Sequence, residues 1–432
     1  MRRIRKYVAV TAAAAAALTL AACGGSGSSG GSSAAGGKVT LTWWSNANAN
    51  PLLGVFQGLA KSYHASHPNV SFTYVPIQNE QYDTKIQVAL QGSNPPDIFF
   101  QRGGGFMATQ AKSGKLENLK PLDSKWIGEL GSLAASWQVN GAQYGVPYDQ
   151  HTVGFWYRKD VFARAGIASP PTTMPELEAD ITKLKAAGIA PIAVGSKDQW
   201  PDAFYWDYFA VRECSVATLK ASVKAVSASN PCFLKAGNDL KAFMAAKPFP
   251  SAFLNTPAQV GAGSSAGLVA DGKAAMELQG DWDPSVMEAL APSKKFLSDI
   301  GWFPFPSVPG APGNSQVLLG GGDGNSCSTS APEPACANFL AYLESATAQK
   351  MLVSTANVGL PANPAASGAL TLPAEQQILQ AGQHTPYIQQ YFDLAYPTNV
   401  GTALDAAVAD MFAGKGTPQA IVTAIDQAAA RQ

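Results

Sequence analysis

Rings, amides and carboxylates crowd together at a few places in this chain. Trp200, Asp202, Tyr205 and Trp206 form the densest aromatic cluster. Trp200 and Asp202 read as solvent-facing there and Trp206 as core. Tyr148, Asp149, Gln150 and His151 place a ring, a carboxylate, an amide and an imidazole in four consecutive residues. Asn46 and Asn48, then Gln101 and Arg102, follow short β-like runs, and Asp281 and Trp282 follow another. Such sets suit a hydroxyl-rich ligand: rings cover apolar C–H faces, while amides and carboxylates pair with hydroxyls that are costly to bury alone. Covalent chemistry finds less support. No His-Glu-x-x-His occurs. Gly320–Gly324, with Gly322 and Asp323, is not followed by Gly-Lys-Ser/Thr, so it is no phosphate loop. Its glycines instead let backbone approach a ligand closely. Gly414–Thr417 reads as a turn between helices. His64 and His67 sit where Pro68 ends a helix, which reads as a solvated helix end rather than a metal site. No metal or other cofactor is expected.

The N-terminus fixes the expected compartment. Arg2, Arg3, Arg5 and Lys6 precede an apolar run from Tyr7 to Leu20, the order of a secretory signal peptide over residues 1–22. The run falls short of the roughly 20 apolar residues of a membrane span. Leu20-Ala21-Ala22-Cys23 resembles a bacterial lipobox, which implies a lipidated Cys23 and a protein anchored on the outer face of the cell membrane. Residues 23–37 are the modified cysteine and a Gly/Ser/Ala tether that buries no apolar area.

From Lys38 onward the chain is long enough for two lobes, since single cores stop growing near about 250–300 residues. Its formal charge is zero and charged residues are 14%, without the basic stripe of a nucleic-acid binder. Cys214, Cys232, Cys327 and Cys336 remain after Cys23, and neither spacing suits zinc. Four cysteines allow three pairings; outside the cell, local pairing favours Cys214–Cys232 and Cys327–Cys336.

Strand-like and helix-like segments alternate: strand 38–44, helix 51–66, strand 70–77, helix 80–90, strand 97–100 and helix 106–112. That order implies a mostly parallel sheet flanked by helices, with ligands beyond the carboxyl ends of its strands. Helices are expected over 176–187, 332–353, 374–381, 402–412 and 418–430, with β-like pieces at 273–278 and 299–305.

Several segments together resemble the extracellular solute-binding proteins of carbohydrate ABC importers, among them the maltose-binding proteins. They are Leu41-Thr42-Trp43-Trp44-Ser45, Pro96-Asp97-Ile98-Phe99-Phe100 and Phe155-Trp156-Tyr157-Arg158-Lys159-Asp160, then Gly272-Lys273-Ala274-Ala275-Met276 leading to Gly280-Asp281-Trp282, and Gly301-Trp302-Phe303-Pro304-Phe305-Pro306. Their order spans essentially the whole mature chain. It is similar in particular to actinobacterial lipoproteins for xylobiose and xylo-oligosaccharides. The resemblance implies a two-lobed, type II periplasmic-binding-protein-like α/β fold with a multi-crossing hinge. The N-lobe would be 38–147 plus 301–325, and the C-lobe 148–300 plus 326–432. It implies a monomeric, non-enzymatic receptor that takes a small oligosaccharide in the cleft and meets transmembrane permease subunits, touching the membrane only through lipid. Trp282 would stack on a sugar ring. Asn46, Asn48, Gln101, Arg102, Tyr148, Asp149, His151, Trp200, Asp202, Asp281, Gly322, Asp323 and Tyr396 would supply further contacts, with Tyr387 and Tyr391 weaker candidates. Two rival readings remain. A surface glycosidase would need two carboxylates about 5–5.5 or 6.5–9.5 Å apart, drawn from Asp149, Asp202, Asp281 and Asp283. A polysaccharide adhesin would not close on its ligand.

Overall fold

The computed structural model describes residues 37–122, 124–291, 293 and 295–431. The expected signal peptide, Cys23 and the expected tether up to residue 36 lie outside the described residues. The body is mixed α/β, built on sheets flanked by helices.

The first sheet runs in the order Val70–Pro76, Val39–Ser45, Ile98–Gln101, Gly324–Cys327 and Val146–Pro147. The first three strands are parallel, in register Val39↔Val70 and Trp43↔Ile98, while Gly324–Cys327 is antiparallel to Ile98–Gln101. In Val39–Ser45 the side chains of Leu41, Trp43 and Ser45 are buried and alternate with half-exposed ones, the period-2 signature of a pleated strand. Trp43 packs within about 5 Å of the rings of Phe56 and Tyr74 (5.0 Å each) and 5.3 Å from Phe339. The helix Leu52–Ser66 covers this face with Val55, Phe56, Leu59, Ala60 and Tyr63, spaced three and four apart.

A second sheet has the order Ile300–Phe303, Gly154–Arg158, Ala274–Gln279, Ala190–Ala193, and a third the order Leu360–Pro361, Asp149–Thr152, Leu318–Gly321, Ile388–Gln390. They share a core with the helix Trp200–Glu213, whose side chains from Pro201 to Glu213 are all buried. The helix Met174–Ala186 starts where its sequence says it should. Thr173 caps it and Glu176 returns the bond, completing a capping box.

Two expectations change. The segment 301–325 does not belong with the first sheet. Ile300–Phe303 pairs antiparallel with Gly154–Arg158, and only Gly324–Cys327 joins the first sheet. Conversely, 326–356 packs on the first sheet's core, through Phe339, Leu340, Leu343 and Leu352. The chain thus passes between the two bodies three times, near 147–149, 321–324 and 356–360. The expected helix 332–353 is two helices, Ala335–Leu343 and Ala346–Ala356, because Ser345 takes an extended backbone and caps the second through Ala348 N–H. Both expected disulfides are present, with Cα–Cα distances of 5.3 Å for Cys214–Cys232 and 6.2 Å for Cys327–Cys336. No helix among the described residues is long and apolar enough to cross a membrane.

Candidate functional site

The strands of both bodies deliver their carboxyl ends to one cavity of about 670 Å³. After Val39–Ser45 come Asn46–Asn50; after Val70–Pro76, Gln78–Glu80; after Ile98–Gln101, Arg102. From the other body, Lys197–Trp200 follow Ala190–Ala193, and Trp282 follows Ala274–Gln279. Tyr148, Asp149, His151 and Asp323 line it from two of the crossing segments.

Trp282 is half-buried and sits within an aromatic group. Its ring centroid is 4.7 Å from His151, 6.3 Å from Tyr391, and 6.4 Å from both Trp200 and Phe204. Gly280 makes this placement possible, since a Cβ there would come within 2.0 Å of the indole. Trp156 fixes the Gly280 carbonyl by donating Nε1–H to it at 2.9 Å. The indole N–H groups of Trp200 and Trp282 and the hydroxyl of Tyr391 are buried and find no partner among the described residues. They are polar tips at the edges of an apolar platform, which is how such rings serve mixed ligands.

The polar lining is strongly held. Arg102 donates Nε–H to Asp83 Oδ1 at 3.1 Å and Nη2–H to Asn79 Oδ1 at 2.8 Å, with its guanidinium 4.9 Å from the Phe100 ring centre. Asn46 donates to Asn79 Oδ1 at 3.3 Å, and its own oxygen is buried without a partner among the described residues. Both carboxylate oxygens of Glu80 are likewise unpartnered, and burial raises its pKa. Carboxylates also enter from Asp393 and Asp405; burial pushes Asp393 up to about 6.

His151 lies among three carboxylates. Its Nδ1 is 2.6 Å from Asp281 Oδ1; its Nε2 is 3.2 Å from Asp149 Oδ1 and 3.5 Å from Asp323 Oδ2. Burial disfavours the imidazolium, but Asp149 and Asp281 outweigh it and carry His151 well above its ordinary pKa. Burial pushes Asp149 up to about 7, against the pull of His151. The Asp323 backbone N–H donates to Asp149 Oδ1 at 2.6 Å and locks the two segments together.

A family model for bacterial extracellular solute-binding proteins matches residues 46–350. The chain belongs to that family. A solved structure tied to xylan utilisation by the thermophilic bacterium Caldanaerobius polysaccharolyticus superposes with a TM-score of 0.81 at 25% identity, covering 90% of this solute-binding protein and 99% of the other chain. A chitin oligosaccharide binding protein shares the fold with a TM-score of 0.79 at 23% identity, covering 92% and 99%. The diacetylchitobiose binding protein of Streptomyces coelicolor is 28% identical over 244 residues, 55% of this chain and 53% of that one. An uncharacterised ABC transporter extracellular-binding protein of Pyrococcus horikoshii is 25% identical over 283 residues, 61% and 59%. The match therefore spans little more than half the length of these curated relatives.

Of the residues singled out from sequence, the solute-binding protein gathers Asn46, Asn48, Arg102, Tyr148, Asp149, His151, Trp200, Trp282, Asp323 and Tyr391 at the cavity. Five others stand elsewhere. Gln101 is fully buried and donates to Gln110 Oε1 at 2.7 Å, because its side chain points inward from the last strand position. Asp202 is buried against Ser196 Oγ at 2.6 Å. Asp281 stands behind His151. Gly322 packs on the Asp149 carbonyl, which a Cβ would meet at 2.8 Å. Tyr396 is core, its hydroxyl 2.6 Å from Ser222 Oγ. Gln150 pairs with Leu360, and the Tyr387 ring lies under Lys220. The cavity also uses Gln78, Asn79, Glu80, Lys197, Asp198 and Gln259, which the sequence reading passed over. The first five follow strand ends, so the rule that placed Asn46 and Arg102 would have found them.

Proposed function

We propose that the protein captures a small, neutral oligosaccharide in this cavity outside the cell and presents it to the transmembrane subunits of an ABC importer. The observation that carries the reading is the half-buried Trp282 platform, ringed by Trp200, Phe204 and Tyr391 and faced by amides and carboxylates from the opposite body. That pairing of a flat apolar surface with many hydrogen-bonding groups matches the two faces of a sugar. Family membership and the sugar-binding relatives support it. Xylobiose or a short xylo-oligosaccharide is the finer assignment, supported by the relative tied to xylan utilisation. A signal peptide at 1–22 and a lipid on Cys23 would hold the receptor at the outer face of the membrane.

The glycosidase reading loses the carboxylate pair that the sequence offered for it. Of Asp149, Asp202, Asp281 and Asp283, only Asp149 lines the cavity. A calorimetric screen of xylobiose, xylotriose, diacetylchitobiose, raffinose and maltose tests the proposal, with chromatography of each sugar after incubation. One sugar should bind with one site and be recovered intact. Binding of none, or shortened products, overturns it.

A further inference from the structure

We infer that Asp149, His151 and Asp323 form a site for a divalent transition-metal ion, of the kind that takes Zn²⁺, at the floor of the cleft. Three donors converge there: His151 Nε2, Asp149 Oδ1 at 3.2 Å and Asp323 Oδ2 at 3.5 Å from it. A tetrahedral zinc site with ligands at about 2.0–2.2 Å holds its donors about 3.3–3.6 Å apart; the two distances from His151 Nε2 are close to that, and all three donors lie within 4.8 Å of one another. A second observation is independent of the acidic residues. His151 is 1% exposed, and its Nε2, 3.2 Å from Asp149 Oδ1, makes no well-aligned hydrogen bond among the described residues. The ring is aimed by its other nitrogen, which meets Asp281 Oδ1 at 2.6 Å. A carboxylate on the far nitrogen is the device that orients a metal-binding histidine and fixes its tautomer.

Donor chemistry and access agree. Three carboxylates and one imidazole converge on one spot, a nitrogen and oxygen donor set suited to a divalent ion. The Asp323 side chain is 22% exposed and lines the cavity, so remaining coordination positions face the cleft and take water or a ligand oxygen. Asp149 and Asp323 stand on two of the crossing segments, so the ion would pin one to the other. Imidazole with two carboxylates selects zinc-like ions over Ca²⁺ and Mg²⁺. None of this depends on the oligosaccharide reading, and the test contains no sugar.

The full chain, stripped with chelator, is titrated with ZnCl₂ in a calorimeter, and its melting temperature is read with Zn²⁺ or Ca²⁺. One Zn²⁺ site and a higher melting temperature in zinc alone are expected. Asp281→Asn should weaken zinc about 10–100-fold, and Asp323→Asn at least as much. No zinc binding by the wild type, an equal response to Ca²⁺, or Asp323→Asn binding as tightly as wild type overturns the site. Should either variant not fold, zinc-edge absorption of the wild type decides. One imidazole nitrogen among oxygen ligands supports the site, and an all-oxygen shell overturns it.

Discussion

Trp282 and Gly280 are one unit at the residue scale. Removing the ring by Trp282→Ala should weaken the sugar found in the screen by roughly 2–4 kcal/mol, as truncation of a buried aromatic anchor does; unchanged affinity in calorimetry would remove Trp282 from the site. Gly280→Ala is a subtler change. The Gly280 backbone is open to alanine, but the new methyl collides with the indole at 2.0 Å. It should tilt the ring, weaken the same sugar about tenfold or more, and lower the melting temperature. Residues that follow a strand were legible, since strand ends point at the cleft. The errors lie one pleat or one turn away. Gln101 faces Gln110 while Arg102, next in line, reaches the cavity. Tyr391 opens the turn Phe392–Ala395 and lines the site, while Tyr396 closes it and enters the core. Single-residue direction of this kind is set by tertiary packing, which periodicity does not record.

At the scale of elements, the Cys327–Cys336 bond ties the strand Gly324–Cys327 to the helix Ala335–Leu343. Replacing both cysteines by serine should cost about 3 kcal/mol of stability, read as a shifted denaturant midpoint. In the unfolded, unreduced wild type, Cys214, Cys232, Cys327 and Cys336 should give no reaction with a thiol reagent. The amphipathic elements were readable: Leu52–Ser66 shows its core face in sequence, and Thr173 with Glu176 announces Met174–Ala186. Trp200–Glu213 was not. It is buried all round, so it carries no polar stripe and reads only as an aromatic-rich stretch. Strand partners were hidden too, because Ile300–Phe303 is equally apolar whichever sheet receives it.

For the whole molecule, two bodies around a cleft imply closure on the ligand. Small-angle scattering should show a smaller radius of gyration with the correct sugar; unchanged dimensions at saturation would refute closure. Stability should also depend on pH in an unusual direction. Burial pushes Asp149, Asp283 and Glu375 up to about 7 and Asp202 up to about 8. The folded state therefore binds more protons than the unfolded chain, whose carboxylates titrate near about 4. The stability these groups contribute is complete below about pH 4 and is lost as pH rises toward about 8. Calorimetry should find the melting temperature falling between those limits, and Asp202→Asn should flatten part of the slope.

The strand Gly324–Cys327 lies between Ile98–Gln101 and Val146–Pro147, and Asn325 accepts the Trp43 indole N–H at 3.1 Å. A nascent chain that has emerged as far as Pro147 therefore lacks the strand that joins Ile98–Gln101 to Val146–Pro147 in its first sheet. The missing strand leaves the ribosome roughly 180 residues later, about 10–40 s at 5–20 residues per second. Through that interval the N-terminal part of the first sheet waits on a strand not yet made.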